Sequence, residues 1–217
     1  MKTKNKFLIA IVTVGVMSLL FTDSTFAQDI VSRSARMGIK GGLNVSNLFI
    51  DDVSDENARY GFNVGLYGQV LSSDVAALQL ELLYSTKGSR AFYDGTFEQE
   101  VKYNLNYLDL PVLAVIKLGQ SAEIHLGGYA SYLLNANISY DGDFANGTDE
   151  IDKDNLKSYD LGLIGGIGFN FGAVQVGARY NYGLVKIADS DAARTAIGDS
   201  KNSVAQLYVS FNLAQQK

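Results

Sequence analysis

The chain has no cysteine, and only one proline and one histidine in 217 residues. Without cysteine there is no disulfide framework and no lipoprotein attachment site, and a Cys/His metal cluster cannot form. No phosphate-binding glycine loop occurs, and nothing repeats beyond a succession of hairpins. Past residue 27 there is no run of about 18 apolar residues, which excludes a helical membrane protein. Positive charge is also scarce. The formal net charge is −5, and without Lys2, Lys4, Lys6 and Asp23 the 18 basic and 23 acidic residues become 15 and 22, a net −7. That balance argues against nucleic acid as a partner.

What is present begins with a leader. Lys2, Lys4 and Lys6 precede an apolar run from Phe7 to about Phe21, and Thr25-Phe26-Ala27 closes the segment. A charged start, an apolar middle and small residues at −3 and −1 predict a signal peptide over residues 1–27, cleaved after Ala27. The run is short of the ~20 residues a spanning helix needs. Residues 28–217 are then one domain, rich in glycine (22 in the chain), tyrosine (13) and phenylalanine (11), as β-structure favours.

From Met37 to Leu213, apolar residues recur at every second position. In 60–70, Tyr60, Phe62, Val64, Leu66 and Val70 share one face, and Gly61, Asn63, Gly65, Tyr67 and Gln69 the other. Leu78-Leu80-Leu82-Tyr84 alternate in the same way with Gln79-Glu81-Ser85-Lys87, and Val174-Val176-Ala178-Tyr180-Tyr182 with Gln175-Gly177-Arg179-Asn181. Period-two alternation is the mark of a strand between two different environments. It predicts strands at 36–49, 59–72, 75–87, 99–117, 122–137, 158–171, 173–186 and 202–213.

Connections after the even strands are tight: Ser73-Asp74, Gly119-Gln120-Ser121 and Gly172. Those after the odd strands are long and polar: Asp51–Ala58, Gly88–Glu98, Ser139–Lys157 and Ala188–Lys201. Eight strands with short turns on one rim and long loops on the other predict an all-β, antiparallel, up-and-down transmembrane barrel, its turns periplasmic and its loops extracellular. Lipid tolerates no unpaired edge, so such a sheet must close.

Alternation does not say which face is outside, but composition does. The polar face is mostly glycine, asparagine and glutamine (Gly65, Gly127, Gly162, Gly166, Gly168, Gly177, Gly183, Asn63, Asn104, Asn106, Asn181), which fits a cramped lumen. The apolar face carries aromatics near strand ends (Tyr60, Tyr84, Tyr103, Tyr159, Phe171, Tyr182, Phe211), as interfacial girdles require. One strand slips: Val101, Tyr103, Leu105 and Tyr107 share a parity, and Leu108, Leu110, Val112, Ala114 and Ile116 keep the next. With Pro111 just beyond, this predicts a β-bulge at Tyr107–Asp109.

The charges of inward parity are Lys40, Glu81, Asp109, Lys117, Asp160 and Arg179, mixed in sign. Glu81, Asp109 and Arg179 fall at similar heights near mid-barrel. Isolated charges there would be costly, so an ion-pair and hydrogen-bond cluster that plugs the lumen is expected, and Arg179→Ala should destabilise the barrel. The competing reading is an ion or proton path. His125 is inward near the short-turn rim. A lipid hydrolase would need a serine beside it, and Ser131 on the same face is six residues away. Asp141, Asp143, Asp149, Glu150, Asp152 and Asp154 crowd the third long loop. Ala145 and the flanking strands rule out an EF-hand, leaving an acidic solvated loop or loose divalent binding that bridges lipopolysaccharide phosphates. No catalytic residue, cofactor or metal site is expected.

Four phrases carry a resemblance: Gly38-Ile39-Lys40-Gly41-Gly42-Leu43-Asn44, Leu80-Glu81-Leu82-Leu83-Tyr84-Ser85-Thr86-Lys87-Gly88, Leu105-Asn106-Tyr107-Leu108-Asp109-Leu110-Pro111, and Gly177-Ala178-Arg179-Tyr180-Asn181-Tyr182-Gly183-Leu184. In this order they resemble the outer-membrane β-barrel domain of the "porin family". The resemblance implies a small eight-stranded outer-membrane barrel; the label itself is no evidence of a pore. Such barrels often end on an aromatic residue recognised by the insertion machinery, whereas here Phe211 is followed by Asn212-Leu213 and a polar tail. The expectation is a non-enzymatic barrel in the outer membrane, in contact with lipid and lipopolysaccharide, that presents its loops to an unidentified surface ligand. The alternative is a narrow channel for ions or small solutes.

Overall fold

The computed structural model describes residues 36–49, 58–93, 99–142, 147–150, 156–189 and 200–215. The expected leader and part of the acidic loop, including Asp143, Asp152 and Asp154, lie outside them. The strands are β1 (Arg36–Phe49), β2 (Arg59–Ser72), β3 (Ala76–Tyr93), β4 (Gln99–Leu118), β5 (Ala122–Gly142), β6 (Gly147–Glu150), β7 (Tyr159–Phe171), β8 (Val174–Lys186) and β9 (Lys201–Gln215). Eight of them form an antiparallel ring in the order β4-β3-β2-β1-β9-β8-β7-β5, which the β4–β5 pairing closes. β6 stands outside the ring. It pairs with Asn137–Tyr140 of β5, beyond Tyr132↔Tyr159 where the β5–β7 ladder ends.

Two of the tight turns depend on glycine. Gly119 and Gly172 have φ of 69° and 65°, a left-handed conformation that a side chain disfavours. The closed ring leaves apolar side chains exposed all round it: Ile39 and Leu43 on β1, Phe62 and Val64 on β2, Val112 and Ile116 on β4, Leu126 on β5, Leu163 and Ile167 on β7, Val176 on β8, Leu207 and Val209 on β9. Exposure on this scale has one stable outcome, a lipid environment. Tyr159, Phe169, Phe171 and Phe211 lie toward the ends of that belt.

The bulge expected at Tyr107–Asp109 borders the observed irregularity, at Asn106/Tyr107 in the β4–β5 ladder, but the extra residue is not on β4. On β4, Leu105, Tyr107, Asp109, Pro111, Leu113, Val115 and Lys117 are all buried, an unbroken inward parity. The extra residue is Leu134 on the partner strand, where the register passes from Asn106↔Asn135 to Tyr107↔Leu133. Pro111 causes no slip either. The β3–β4 ladder lapses between Leu80↔Val112 and Leu83↔Asp109 and keeps its register.

What changes along β4 is therefore the surroundings. Leu105 and Tyr107 face inward and pack with Leu133, Ala136, Leu156 and Ile187 into an apolar cluster. Asn104 and Asn106, expected in the lumen, face outward, bonded to Ser139 and Asn135. Near them Glu100 pairs with Arg90 at 3.6 Å and with Lys102 at 2.7 Å. Polar outside and apolar inside is the arrangement of a barrel in water. The strands thus run past the lipid, and polarity inverts where they leave it. This also explains why β3 and β5 extend to Tyr93 and Gly142, beyond the expected ends at 87 and 137. Backbone pairing continues there after the lipid-facing alternation has stopped.

Candidate functional site

The interior is filled in layers, and glycine makes the filling feasible. A Cβ on Gly177 would collide with the Tyr208 ring, and one on Gly166 would lie 2.6 Å from Arg179 Cγ. Small residues on β7 and β8 thus open the volume that two of the largest inward side chains occupy.

At the short-turn rim, Glu123 Oε1 accepts from Arg36 Nη1 at 2.8 Å and Asn170 Nδ2 at 3.0 Å, and Oε2 accepts from Gln175 Nε2 at 2.9 Å. Lys117, expected in the interior polar cluster, lies on this rim. Its Nζ donates to Ser72 Oγ at 2.7 Å and to the Ser73 carbonyl at 2.8 Å.

Above lies the densest layer. Arg179 grips Glu81 with both terminal nitrogens, at 2.8 and 2.7 Å, while Lys40 Nζ donates to the same carboxylate at 3.3 and 3.4 Å and Gln79 Nε2 at 2.6 Å. Lys40 Nζ also sits 3.6 Å from the centroid of the Tyr208 ring and Arg179 Cζ 4.7 Å from it. The ring face stabilises the one positive charge that Glu81 does not balance. His125 completes the layer, with Nδ1 3.0 Å from Arg179 Nη2 and 3.5 Å from Tyr208 Oη, and Nε2 3.3 Å from Glu123 Oε2. Its partners are thus an arginine, a tyrosine and a glutamate, whereas a Ser–His–acid relay needs a serine hydroxyl at the ring.

Next come amides. Asn44 donates to Ser85 Oγ at 3.0 Å and to the Thr86 carbonyl at 2.9 Å, and its Oδ1 accepts from Asn63 at 2.6 Å and Gln206 at 3.0 Å. Above them Lys87 Nζ meets Asp109 Oδ1 at 2.9 Å and Ser131 Oγ at 3.2 Å, flanked by the Tyr107 and Tyr129 rings. Asp160 accepts from Tyr129 Oη at 3.0 Å and Asn202 Nδ2 at 2.8 Å. The apolar Leu105–Tyr107–Leu133 cluster lies at the loop end of these layers.

The structure therefore joins Lys40, Glu81 and Arg179. It places Asp109 and Asp160 in a separate layer around Lys87, and moves Lys117 to the rim. The expected grouping of Asp109 with Arg179 does not form, because Lys87 reaches Asp109 first. Lys87, Glu123 and Arg36 were the residues missed. The first two carry inward parity, Lys87 with Glu81 and Ser85 and Glu123 with His125, and parity alone could have found them. Among the described residues no three His, Cys, Asp or Glu side chains converge as a metal site.

A closed antiparallel ring, apolar toward its surroundings and ion-paired within, defines a transmembrane β-barrel. Residues 26–189 match the family described as "Outer membrane protein beta-barrel domain", and the chain belongs to that family. Its place is accordingly the cell outer membrane. Similar solved structures are Ail of Yersinia pestis in complex with the heparin analogue sucrose octasulfate (13% identity, 82% of this chain and 98% of that chain, TM-score 0.48), Neisserial surface protein A (12%, 82% and 97%, 0.47) and OprG of Pseudomonas aeruginosa (14%, 85% and 96%, 0.41). No curated protein matches the chain in sequence.

Proposed function

We propose that this barrel is a non-enzymatic anchor with a closed lumen, and that its activity resides in the loop rim that it holds above the outer leaflet. The observation that carries this reading is the stack of filled layers. An ion would have to pass the Arg36–Glu123 rim, the Lys40–Glu81–Arg179 layer, the Lys87–Asp109 pair and an apolar cap in succession. A conducting path keeps polar groups free to exchange with water, whereas these are spent on one another. Mixed charge of this kind favours neither cations nor anions.

The chain reaches its site by export through a leader cut after Ala27 and by delivery to the outer-membrane insertion machinery. In place, its belt contacts lipid and its polar upper collar contacts lipopolysaccharide headgroups. The strand ends that continue past the lipid raise the loops and the β5–β6 ribbon clear of the membrane, where a surface ligand is reached.

The test is to replace residues 50–57, 94–98, 143–155 and 190–199 with short Gly/Ser turns. The shortened chain should still insert as a heat-modifiable barrel, and should fail to restore surface attachment to a strain lacking the gene. Full restoration by the shortened chain would place the activity in the barrel and overturn the proposal.

A further inference from the structure

We propose that the outward face of β4–β6, above the lipid belt, binds the core saccharide of the surrounding lipopolysaccharide through a platform of asparagine amides and hydroxyls. The proposal rests on the reading that the polar collar meets lipopolysaccharide, and it names the part that is met. Register lays the platform out. Asn106 lies opposite Asn135, Asn104 opposite Asn137, and Lys102 opposite Ser139, which is itself opposite Thr148 of β6. Asn106 Nδ2 donates to Asn135 Oδ1, Asn104 Nδ2 donates to Ser139 Oγ at 3.0 Å, and the Ser139 and Thr148 hydroxyls meet at 3.1 Å. Asparagine is a poor strand former, so four of them on two paired strands are not there to hold the sheet. An amide offers two donors and two acceptor lone pairs, and Asn104, Asn106 and Asn135 each spend one bond within the platform. The rest of that capacity is left for a guest.

Position identifies the guest's source. Toward the short turns, Leu108 lies opposite Tyr132 and Leu110 opposite Ala130, and beyond them Val112 and Leu126 continue the exposed apolar belt. The amides start where that belt stops, so they face the layer directly above the acyl chains. From Asn106 to Glu100 the strand climbs about 20 Å at ~3.3 Å per residue, or about 15 Å of height at the usual barrel tilt. The headgroup layer of a phospholipid is only about 5–8 Å deep. A saccharide headgroup spans the height that a phospholipid cannot.

Chemistry selects the sugar over the phosphates of the same glycolipid. Arg90 and Lys102 are register partners at the upper edge of the platform, and Glu100 pairs with both, at 3.6 and 2.7 Å. A phosphate would have to displace that carboxylate or sit against it. Neutral hydroxyls meet no such barrier, since they accept from amide N–H groups and donate to amide and hydroxyl oxygens. Access is open as well. Asn135 and Thr148 are exposed, and Gly88, opposite Asn104 on β3, adds no side chain beside that amide. Each hydrogen bond at such a surface is worth little by itself, so affinity comes from engaging several rows together.

The test uses the full mature barrel in phospholipid vesicles carrying equal mole fractions of either lipid A or rough lipopolysaccharide with its core sugars. Lipid A should raise the thermal midpoint, followed by circular dichroism, above that in phospholipid alone. The core sugars should add about 3–5 °C more, the shift that a tenfold gain in binding gives a barrel of this size. Asn106→Ala combined with Asn135→Ala removes a bonded pair without orphaning a partner. It should keep the lipid A shift and lose at least half of the core-sugar shift, as should Asn104→Ala combined with Ser139→Ala. The chain with shortened loops should keep the whole core-sugar shift, so a failure here and a failure of the loops to carry attachment are separate results. A midpoint indifferent to the core sugars, or double variants that keep the full shift, would overturn the proposal and leave this face to a protein partner. No shift with either glycolipid would overturn it together with the collar contact on which it rests.

Discussion

Glu81→Ala will destabilise the refolded barrel by about 3–5 kcal/mol, more than Arg179→Ala will. Among the described residues Glu81 is the only anion paired with Arg179 and Lys40. It accepts both arms of Arg179 and the Lys40 ammonium in a setting where all three side chains are almost wholly buried. Removing it leaves two buried cations beside the Tyr208 ring without the carboxylate they share. Arg179→Ala is gentler, because Glu81 keeps Lys40 and Gln79. Urea unfolding of each variant in lipid vesicles measures the order directly. The triple change Lys40→Met, Glu81→Gln and Arg179→Met should recover much of the loss, since Lys40 and Arg179 both pair with Glu81 and removing all three charges leaves none orphaned. Midpoints equal to that of the parent would mean that the layer contributes nothing.

The second large effect is expected on the outer surface. Leu163→Arg should cost about 2–4 kcal/mol, the penalty for arginine near the midplane of a membrane barrel. Leu163 is 56% exposed on β7, midway between Tyr159 and Ile167 on the same face. The matched control is Asn135→Arg, also outward, but on the β4–β5 surface where asparagines and ion pairs replace aliphatic side chains. Its cost should be about 0–1 kcal/mol. The pair of values locates the level at which the wall leaves lipid. Similar losses at both positions would contradict the polarity inversion.

That inversion also marks the limit of what the amino-acid pattern reveals. Where one face meets lipid, alternation is unambiguous, and the ring, its tight turns and the inward parity of Glu81, Arg179, Asp109 and Asp160 were all readable. Above the lipid the rule reverses. Leu105 and Tyr107 then look outward by composition although they point inward, and the reversal imitates a one-residue slip. The true bulge at Leu134 leaves no such trace, because both its neighbours remain plausible on either face. β6 is hidden for a related reason, since Gly147-Thr148-Asp149-Glu150 carries no apolar alternation and is held by its backbone ladder and a Ser139–Thr148 hydroxyl contact at 3.1 Å. Partner choice was less legible than parity. Lys87 and Asp109 lie 22 residues apart and meet only because the β3–β4 register sets Leu83 opposite Asp109.

The claim on which the rest depends is that the lumen is closed. Planar-bilayer recording of the purified full-length barrel tests it most directly, in 1 M KCl and at both voltage polarities. A silent bilayer after confirmed insertion is the predicted result, with Glu81→Ala admitting at most flickering leak. Reproducible single-channel steps from the parent barrel would contradict the account and make the ion-paired layers the lining of a pore.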